Sequence, residues 1–409
     1  MLLTNIHRLY GVHEQSRFLE GSDQASLPFL ENAWLRIRGE RIGSYGTMAD
    51  FPEDVQDAWI IDASGRMVLP AFCDAHTHVV FAGSREAEFV EKIGGGTYAE
   101  IAAKGGGILS TMQAVRAASE QELFEASWHR IRRMMEQGTG AMEIKSGYGL
   151  DLKNELKLLR VIRRIREQAP IPVRATFLGA HAFPPDYRNN REAYVDLVIR
   201  KMIPAITSEG LADYIDVFCE QGFFTVDQSR RILYAGLDLG LKPKIHANQL
   251  SSSGAVQLGV ELKALSVDHL EQLTPNDIQA LKESPVIPTV LPGAAYFLRS
   301  AYPPARAMLD AGLGLAIATD YNPGSAPSGN MWFSIQLACI QMRMTPAEAF
   351  NGATINGACA MEVADHAGSI REGHLANLIL TQPLPNLESI PYAFGENPVH
   401  KVMIRGMWV

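Results

Sequence analysis

Cysteine is scarce in this chain, and its few copies are far apart. Four cysteines occur among 409 residues, at positions 73, 219, 339 and 359, and none forms a C-x-x-C pair. This spacing argues against a zinc knuckle and against a disulfide framework. The N-terminus lacks a signal-peptide core, and the sequence contains no run of about 18 apolar residues. These absences predict a reduced, cytoplasmic protein that makes no use of a membrane.

Basic residues do not outnumber acidic ones. The chain has 37 Lys and Arg against 45 Asp and Glu, which gives a formal net charge of −8. Nucleic-acid and anionic-membrane binders need clustered Lys and Arg, so both classes are disfavoured. The net charge does not exclude binding of a small anionic substrate, because one buried arginine can bind it. A phosphate-binding loop is also absent, since no G-x-x-x-x-G-K-[ST] occurs.

Eight short apolar or β-rich runs recur from about residue 65 onward, most of them separated by helical patterns. The runs are MVLPAFCDAHTH, GAMEIKSGY, PVRATFLGAH, YIDVFCEQ, KPKIHANQ, ALSVDHL, PVIPTVLPG and GLAIATDYNPG. Between the second and third runs, DLKNELKLLRVIRRIREQ (residues 151–168) places Leu152, Leu156, Leu159, Ile162 and Ile165 on one face at helical spacing. Strand–helix alternation predicts a parallel sheet, and eight repeats predict a (β/α)8 TIM-like barrel. A doubly wound sheet is the alternative, but that fold does not require exactly eight strand–helix repeats.

The sequence pattern of both chain ends differs from the strand–helix alternation of the middle. AWLRIRGERIGSYG and the residues after 376 alternate as antiparallel strands do. We therefore predict one small β-sandwich-like domain built from residues 1–64 and 376–409, with the barrel domain spanning 65–375. The glycine runs Gly94–Gly96 and Gly105–Gly107 follow the first barrel run and predict a flexible lid over the site.

Polar side chains gather at the ends of the eight runs, where the functional groups of a barrel collect. In run order they are His76 and His78, Tyr148, His181, Glu220, His246 with Gln249, His269, and Asp320 with Asn322. We expect most of these side chains to surround a single site. Asp74 and Glu220 are predicted to support it, and Glu143 with Lys145 to support the end of the second strand.

The histidines of this set indicate a metal site. His76 and His78 are two residues apart, so on a strand both point to the same face, here the barrel interior. A lone His-x-His is weak evidence, but His246, His269 and Asp320 stand at further strand ends. Three imidazoles and one carboxylate suit Zn²⁺ or Fe²⁺ and leave room for a water. A water held by such a cation reaches a pKa of about 7 and becomes a nucleophile.

The segment LPAFCDAHTH, with the downstream histidines and aspartate, resembles the amidohydrolase superfamily of metal-dependent hydrolases. HTHVVFAGSREAEF, EIKSGYGLD, FLGAHAFPPDY and ATDYNPGSAPS narrow the resemblance to members that open an imidazolone ring in histidine degradation. The resemblance runs over nearly the whole chain. It implies one divalent cation per subunit, Zn²⁺ or Fe²⁺, in a homodimer.

Matched residue by residue, the resemblance also implies roles within the site. The implied metal ligands are His76, His78, His246 and Asp320. The implied substrate-binding residues are Arg85, Tyr98, Tyr148, His181, Gln249, Asn322, Gly324 and Ser325. The implied catalytic residues are His269, Asp320 and His181.

The implied substrate is the small molecule 4-imidazolone-5-propanoate, and the implied product is N-formimidoyl-L-glutamate. Arg85 offers a planar fork to the propanoate, supported by the Tyr148 hydroxyl. His269 and Asp320 are placed to take and relay protons, and His181 or His269 to stabilise an oxyanion. How the protons divide among His269, Asp320 and Gln249 stays open.

Three rival functions compete with this interpretation. Deaminases of the superfamily carry a glutamate three residues after the third metal histidine, where HANQ has Gln249. Two-metal dihydroorotases or hydantoinases use a carboxylated lysine at the end of the fourth strand, where VFCEQG has none. An inactive barrel kept as a scaffold would lack a ligand, but all are present. Asn248 departs from the family's usual aspartate, and the neutral amide is expected to weaken what that charge held.

Overall fold

Two eight-stranded sheets organise the structure, which is a computed structural model describing residues 1–52, 59–95 and 106–409. One sheet is parallel and curves into a TIM-like barrel. The other is mixed and combines strands from both chain ends. The predicted fold class, a barrel with a smaller β unit built from both ends, is confirmed. No helix in the described part of the chain has the length and apolarity needed to cross a membrane.

The strands fall into three consecutive groups along the chain. The first group belongs to the mixed sheet: β1 (Leu2–Tyr10), β2 (Phe29–Arg38), β3 (Arg41–Thr47), β4 (Ile60–Asp62) and β5 (Arg66–Pro70). The second forms the barrel: β6 (Phe72–Thr77), β7 (Thr139–Lys145), β8 (Val173–Ala180), β9 (Tyr214–Cys219), β10 (Lys242–Ala247), β11 (Ser266–His269), β12 (Ile287–Val290) and β13 (Ala316–Ile317). The third returns to the mixed sheet: β14 (Leu378–Pro383), β15 (Val399–Ile404) and β16 (Met407–Trp408).

The run MVLPAFCDAHTH, predicted as one barrel strand, contains two strands of different sheets. β5 pairs with β1 and β14, whereas β6 pairs with β7. The change falls between Pro70, which has no N–H to extend a ladder, and Phe72, whose N–H donates to Gly138 O at 2.9 Å. β5 therefore joins the mixed sheet although it lies past residue 64. The domain boundaries stay a prediction.

The barrel closes where its last strand meets its first. Beyond β13, Asp320 N donates to His76 O at 3.0 Å, and His78 N donates to Tyr321 O at 2.9 Å. Closure thus places Asp320 beside the histidine pair, although the two lie far apart in sequence. Asp74 strengthens the seam, because its carboxylate accepts from Thr319 N at 3.0 Å and Thr319 Oγ1 at 2.6 Å.

Helices cover the outside of the barrel and fill the connections between strands. In chain order they are α1 (Glu86–Ile93), α2 (Ile108–Ala117), α3 (Glu120–Glu136), α4 (Leu152–Gln168), α5 (Arg191–Leu197), α6 (Ile203–Ser208), α7 (Val226–Leu237), α8 (Ala255–Glu261), α9 (Pro275–Lys282), α10 (Pro292–Leu298), α11 (Ala305–Asp310), α12 (Met331–Ile340), α13 (Pro346–Asn351), α14 (Gly357–Ala360) and α15 (Ser389–Tyr392). Two π-helical turns, Val198–Met202 and Gly352–Asn356, join α5 to α6 and α13 to α14. The helix predicted over 151–168 is α4, which begins one residue later because Asp151 is its N-cap, and it buries Leu159, Ile162 and Ile165 against the barrel.

Candidate active site

Three predicted metal ligands converge where the barrel closes. His76 Nε2 and His78 Nε2 are 3.3 Å apart, and each lies 3.5 Å from Asp320 Oδ1. All three side chains are almost completely buried. Two imidazole nitrogens and a carboxylate oxygen at this spacing can share one divalent cation.

His246 completes the predicted set from β10. Its ring centroid lies 4.5 Å from that of His76 and 5.5 Å from that of His78. Within the described residues, neither buried ring nitrogen of His246 has a hydrogen-bond partner, but Nδ1 faces Asp216 Oδ2 at 3.0 Å, whereas Nε2 faces no carboxylate that pairs with it. A buried polar atom without a partner is costly, so this orphaned lone pair fits a cation that the other three ligands also face.

The protonation of the two β6 imidazoles suits a metal site. Burial lowers the pKa of His76 well below its ordinary value, and the nearby Lys145 lowers it further. Burial likewise lowers the pKa of His78, with His181 adding to the effect. Both rings are therefore neutral near pH 7, the form in which histidine binds metals.

Two carboxylates that the sequence analysis missed stand behind the histidines. Asp268 Oδ2 lies 2.6 Å from His76 Nδ1, and Asp216 Oδ2 lies 3.0 Å from His246 Nδ1. Burial alone raises the pKa of Asp216, but His246 and Lys145 hold it well below the usual value. Carboxylates in this position orient metal-binding imidazoles and fix which ring nitrogen carries the proton.

His269 differs from the other histidines of the cluster. Burial lowers its pKa, but the carboxylates of Glu271 and Asp320 outweigh burial and raise it above the ordinary value. Its Nδ1 atom lies 3.5 Å from Glu271 Oε1. His76, His246 and His269 could also form a ligand triad by distance alone. The raised pKa instead favours the predicted role of His269 as a proton carrier.

A cavity of about 370 Å³ opens above the metal cluster. The predicted residues that line it are His78, Arg85, Tyr148, His181, His246, Gln249, His269, Asp320, Asn322, Gly324 and Ser325. His76 is completely buried within the cluster. Tyr98 lies outside the described residues, as does most of the predicted lid. The remaining predicted site residues are thus brought together in one place.

Arg85 is held at this cavity by two neighbours. Its Nε donates to Thr111 Oγ1 at 2.8 Å, a contact that the sequence analysis missed. The guanidinium lies against Gly324, where a Cβ would overlap the Nη1 atom of Arg85. The absence of a side chain at Gly324 therefore leaves room for the guanidinium.

His181 and Tyr148 form one wall of the cavity. His181 Nδ1 lies 3.1 Å from Gly147 O, and because a carbonyl only accepts, Nδ1 carries the proton. Burial, together with His246, lowers the pKa of His181 to about 3, so the ring is neutral and Nε2 is an acceptor. This tautomer fits the predicted substrate-binding role, for example toward a ring N–H. It does not fit oxyanion stabilisation, which needs a donor.

The loop that carries Tyr148 is fixed by Glu155, another residue that the sequence analysis missed. The buried carboxylate accepts from Gly149 N at 2.7 Å, Leu150 N at 2.9 Å and Gly147 N at 3.1 Å. Gly147 in turn holds His181. Glu155 therefore sets the position of both side chains of this wall.

Replacing Glu155 with glutamine is expected to lower kcat/KM by about 10- to 100-fold. The amide nitrogen of glutamine cannot accept, so at least one buried N–H of the loop loses its partner, at a cost of about 1–3 kcal/mol. Steady-state kinetics and thermal melting of the purified variant would measure this. Glu167→Gln, at the exposed end of the same helix, is the matched control. Unchanged kinetics in Glu155→Gln would rule out this role.

The loop after β13 uses Asn322 to build itself. The Asn322 amide nitrogen donates to Asp320 O and to Ser325 Oγ, both at 2.7 Å. Its Oδ1 accepts from Gly324 N at 2.7 Å and from Ser325 N at 2.8 Å. These four bonds use the full capacity of the amide. Asn322 thus orders the loop, and Ser325 Oγ, 3.2 Å from Asp320 Oδ2, supports the predicted ligand.

The departure at Asn248 has a local explanation. Its amide nitrogen lies 3.3 Å from Asp277 Oδ2, and Ser253 Oγ donates to Asn248 Oδ1 at 3.3 Å. An aspartate here would face the carboxylate of Asp277, so the neutral amide suits this neighbour.

Glu220 accepts from Leu250 N at 2.9 Å and from Ser251 Oγ, which supports the loop that carries Gln249.

Comparison with known families and proteins agrees with this geometry. Residues 67–409 match the model of the amidohydrolase family. An imidazolonepropionase of Flavobacterium johnsoniae is 53% identical over 406 residues, covering 99% of this chain and 98% of the relative. An imidazolonepropionase of Christiangramia forsetii is 51% identical, covering 99% of both chains.

Solved structures share the fold at low sequence identity. A 5-methylcytosine deaminase from Klebsiella pneumoniae has a TM-score of 0.74 at 17% identity and covers 100% of this chain and 98% of its own. A zinc-bound adenosine deaminase from Xanthomonas campestris has a TM-score of 0.68 at 18% identity, with 100% and 92% coverage. At these identities the likeness extends to the fold alone.

Proposed function

The chain belongs to the amidohydrolase family, and we propose that it hydrolyses the cyclic amide of 4-imidazolone-5-propanoate to N-formimidoyl-L-glutamate. This is the activity of an imidazolonepropionase, a hydrolase that acts on a C–N bond in histidine degradation. The observation that carries the proposal is a single cavity lined by both a guanidinium and a His/Asp cluster. Relatives that bear this name and are up to 53% identical over nearly the full chain support it.

Each part of the substrate has a matching group in the cavity. Arg85 presents a planar fork of donors to the propanoate. The Tyr148 hydroxyl, whose pKa burial raises, stays protonated and can donate to the same carboxylate. His181 Nε2 accepts a ring N–H. We expect these contacts to direct the ring carbonyl at the histidine and aspartate cluster.

We propose one divalent cation, Zn²⁺ or Fe²⁺, held by His76, His78, His246 and Asp320. Three imidazoles and one carboxylate suit either ion. The orphaned Nε2 atom of His246 and the crowding of the other three ligand atoms support this donor set. When bound, such a cation polarises the ring carbonyl and makes a neighbouring water more acidic. A homodimer and a cytoplasmic location stay predictions.

Proton transfer falls to Asp320 and His269. Burial raises the pKa of Asp320 above the ordinary value, although His269 and His246 pull it down. As a carboxylate at the cation site, Asp320 can accept a proton from the attacking water. His269, with its own raised pKa, can then deliver a proton to the ring nitrogen that leaves when the C–N bond breaks. Gln249 is an amide and takes no part in this transfer.

The rival reactions fit these residues less well. A deaminase needs a carboxylate at the position of Gln249 to carry protons to a leaving amine. A two-metal hydrolase needs a lysine at the end of β9, where the chain has Cys219 and Glu220. Lys145 of β7 lies inside the barrel, but its ion pairs with Glu143 and Asp216 keep it ionised. An ammonium group does not form the carbamate that such an enzyme requires.

The test is the decay of 4-imidazolone-5-propanoate absorbance, with the substrate made in situ from urocanate. We expect rapid decay with formation of N-formimidoyl-L-glutamate by protein loaded with zinc or iron. Removing the metal with a chelator is expected to lower the rate by about 1,000-fold or more, and adding it back to restore the rate. Absence of decay with one metal bound per chain would refute the proposed substrate and keep the hydrolase fold.

A further inference from the structure

A layer of buried charged side chains lies behind the metal cluster. The proposed reaction assigns no role to any of them. The members of this layer are Glu143, Lys145, Asp216, Lys244 and Asp268, and each is 0% exposed. Two ammonium groups thus stand among three carboxylates in the barrel interior. Buried charges are costly unless they are paired, so each pairing in this layer needs a physical reason.

Lys145 contacts all three carboxylates of the layer: Glu143 Oε1 lies 2.6 Å from its Nζ, and Asp216 and Asp268 contact it through the same oxygens that face the imidazoles. Its Nζ lies 2.8 Å from Asp216 Oδ2 and 3.5 Å from Asp268 Oδ2. Asp216 Oδ2 is 3.0 Å from His246 Nδ1, and Asp268 Oδ2 is 2.6 Å from His76 Nδ1. One ammonium group therefore joins two carboxylate–imidazole pairs that come from different strands.

The second oxygen of each carboxylate is fixed separately. Asp216 Oδ1 accepts from Val217 N at 2.7 Å and from His246 N at 3.1 Å. Asp268 Oδ1 accepts from Ser266 Oγ at 2.6 Å. The Oδ2 atoms have Lys145 on one side and an imidazole on the other. Without the Lys145 ammonium group, the repulsion between the two carboxylates would be less compensated. The contacts of these carboxylates with the two imidazoles would then weaken.

We infer that Lys145 is a positioning residue for the metal site, because its ammonium group holds Asp216 and Asp268 against the Nδ1 atoms of two imidazoles. With a carboxylate oxygen facing each Nδ1 atom, at 3.0 Å in His246 and 2.6 Å in His76, the Nε2 atoms of both rings keep their lone pairs for the cation. The inference rests on the proposed metal site, but it does not depend on the identity of the substrate.

Lys244 provides a matched control within the same layer. It pairs with Glu143, and its Nζ also donates to Ala75 O and Ala360 O, both at 3.3 Å. Among the described residues, Asp216 and Asp268 are not among its ion-pair partners. Lys145→Met and Lys244→Met therefore remove the same charge from the same depth. They differ in whether the two carboxylates behind the imidazoles lose a partner.

The experiment measures zinc affinity of metal-free protein by competition with a chromophoric chelator. Lys145→Met is expected to bind zinc about 10- to 100-fold more weakly than wild type. Lys244→Met is expected to stay within about threefold, although both variants melt at lower temperature. Unchanged affinity in Lys145→Met, or equal losses in both variants, would overturn the inference. A wild-type protein that binds neither zinc nor ferrous iron would instead remove the metal site and with it the proposed function.

If Lys145→Met does not fold, Lys145→Gln is used in the same zinc-affinity measurement. Glutamine keeps a hydrogen-bond donor at this position but removes the charge. Combining it with Asp268→Asn tests the path of the effect. If Lys145 acts through Asp268, the losses in zinc-binding free energy are less than additive. Full additivity would contradict this path. Failure of both Lys145 variants to fold would assign the residue to barrel stability alone and overturn the positioning role.

Discussion

Asp320→Asn is expected to lower kcat by about 1,000-fold or more while the barrel remains folded. The carboxylate has two proposed tasks, since its Oδ1 lies 3.5 Å from the Nε2 atoms of His76 and His78, and it is the proposed proton acceptor. Asparagine keeps the shape but loses the charge and the ability to take a proton. General-base catalysis alone is worth about 10²–10⁴-fold. Activity assays with measurement of bound metal would test this.

The backbone makes asparagine the informative substitution at this position. Asp320 has a φ of 55°, in the left-handed region that asparagine and aspartate tolerate better than other side chains. Its N–H bond to His76 O closes the barrel and survives the change. Asp320→Ala would add backbone strain and confuse the two effects. An Asp320→Asn variant with full metal content and activity within tenfold of wild type would show that the carboxylate has neither task.

The fold could be read from the sequence because buried parallel strands appear as nearly continuous apolar runs. All eight predicted runs contain a barrel strand. The same property hid the junction between the two sheets. β5 and β6 are separated by Ala71 alone, and the apolar residues of VLPAFC run across the junction, so no change of pattern marks where the chain leaves one sheet for the other. Only the pairing partners, which lie far away in sequence, distinguish the two strands.

The site was predictable from the histidines near the strand ends and from Asp320 after β13, and less so from the two acids within β9 and β11. His76, His246 and Asp320 stand at strand ends, where barrel chemistry collects. Asp216 and Asp268 lie inside YIDVFCEQ and ALSVDHL. A carboxylate within a buried run was the available signal, since such a charge needs a partner. The partner could not be named, because Lys145 lies on β7 while the two acids lie on β9 and β11, strands that are not adjacent to it.

Arg85→Met is expected to raise KM for 4-imidazolone-5-propanoate by about 10- to 100-fold, with a smaller change in kcat. A hydrogen bond to a charged group is worth about 1.5–3 kcal/mol, and contact with the tail is made equally in the ground state and the transition state. Steady-state kinetics would measure the change. An imidazolone analogue without the propanoate is expected to react equally with both proteins. Lys92→Met, which removes another charge from the same cavity, is expected to change KM by less than about threefold.

Gly324→Ala tests the same contact without removing the charge. The backbone of Gly324 accepts alanine, because its φ is outside the left-handed region, but the new Cβ would overlap Nη1 of Arg85. The methyl group therefore displaces the guanidinium, and KM rises. If Gly324 acts only by leaving room for Arg85, the substitution has no further effect once Arg85 is methionine. If Gly324→Ala raises KM equally in the Arg85→Met background, Gly324 contacts the substrate itself. That result would contradict the proposal that Gly324 acts by leaving room for the guanidinium.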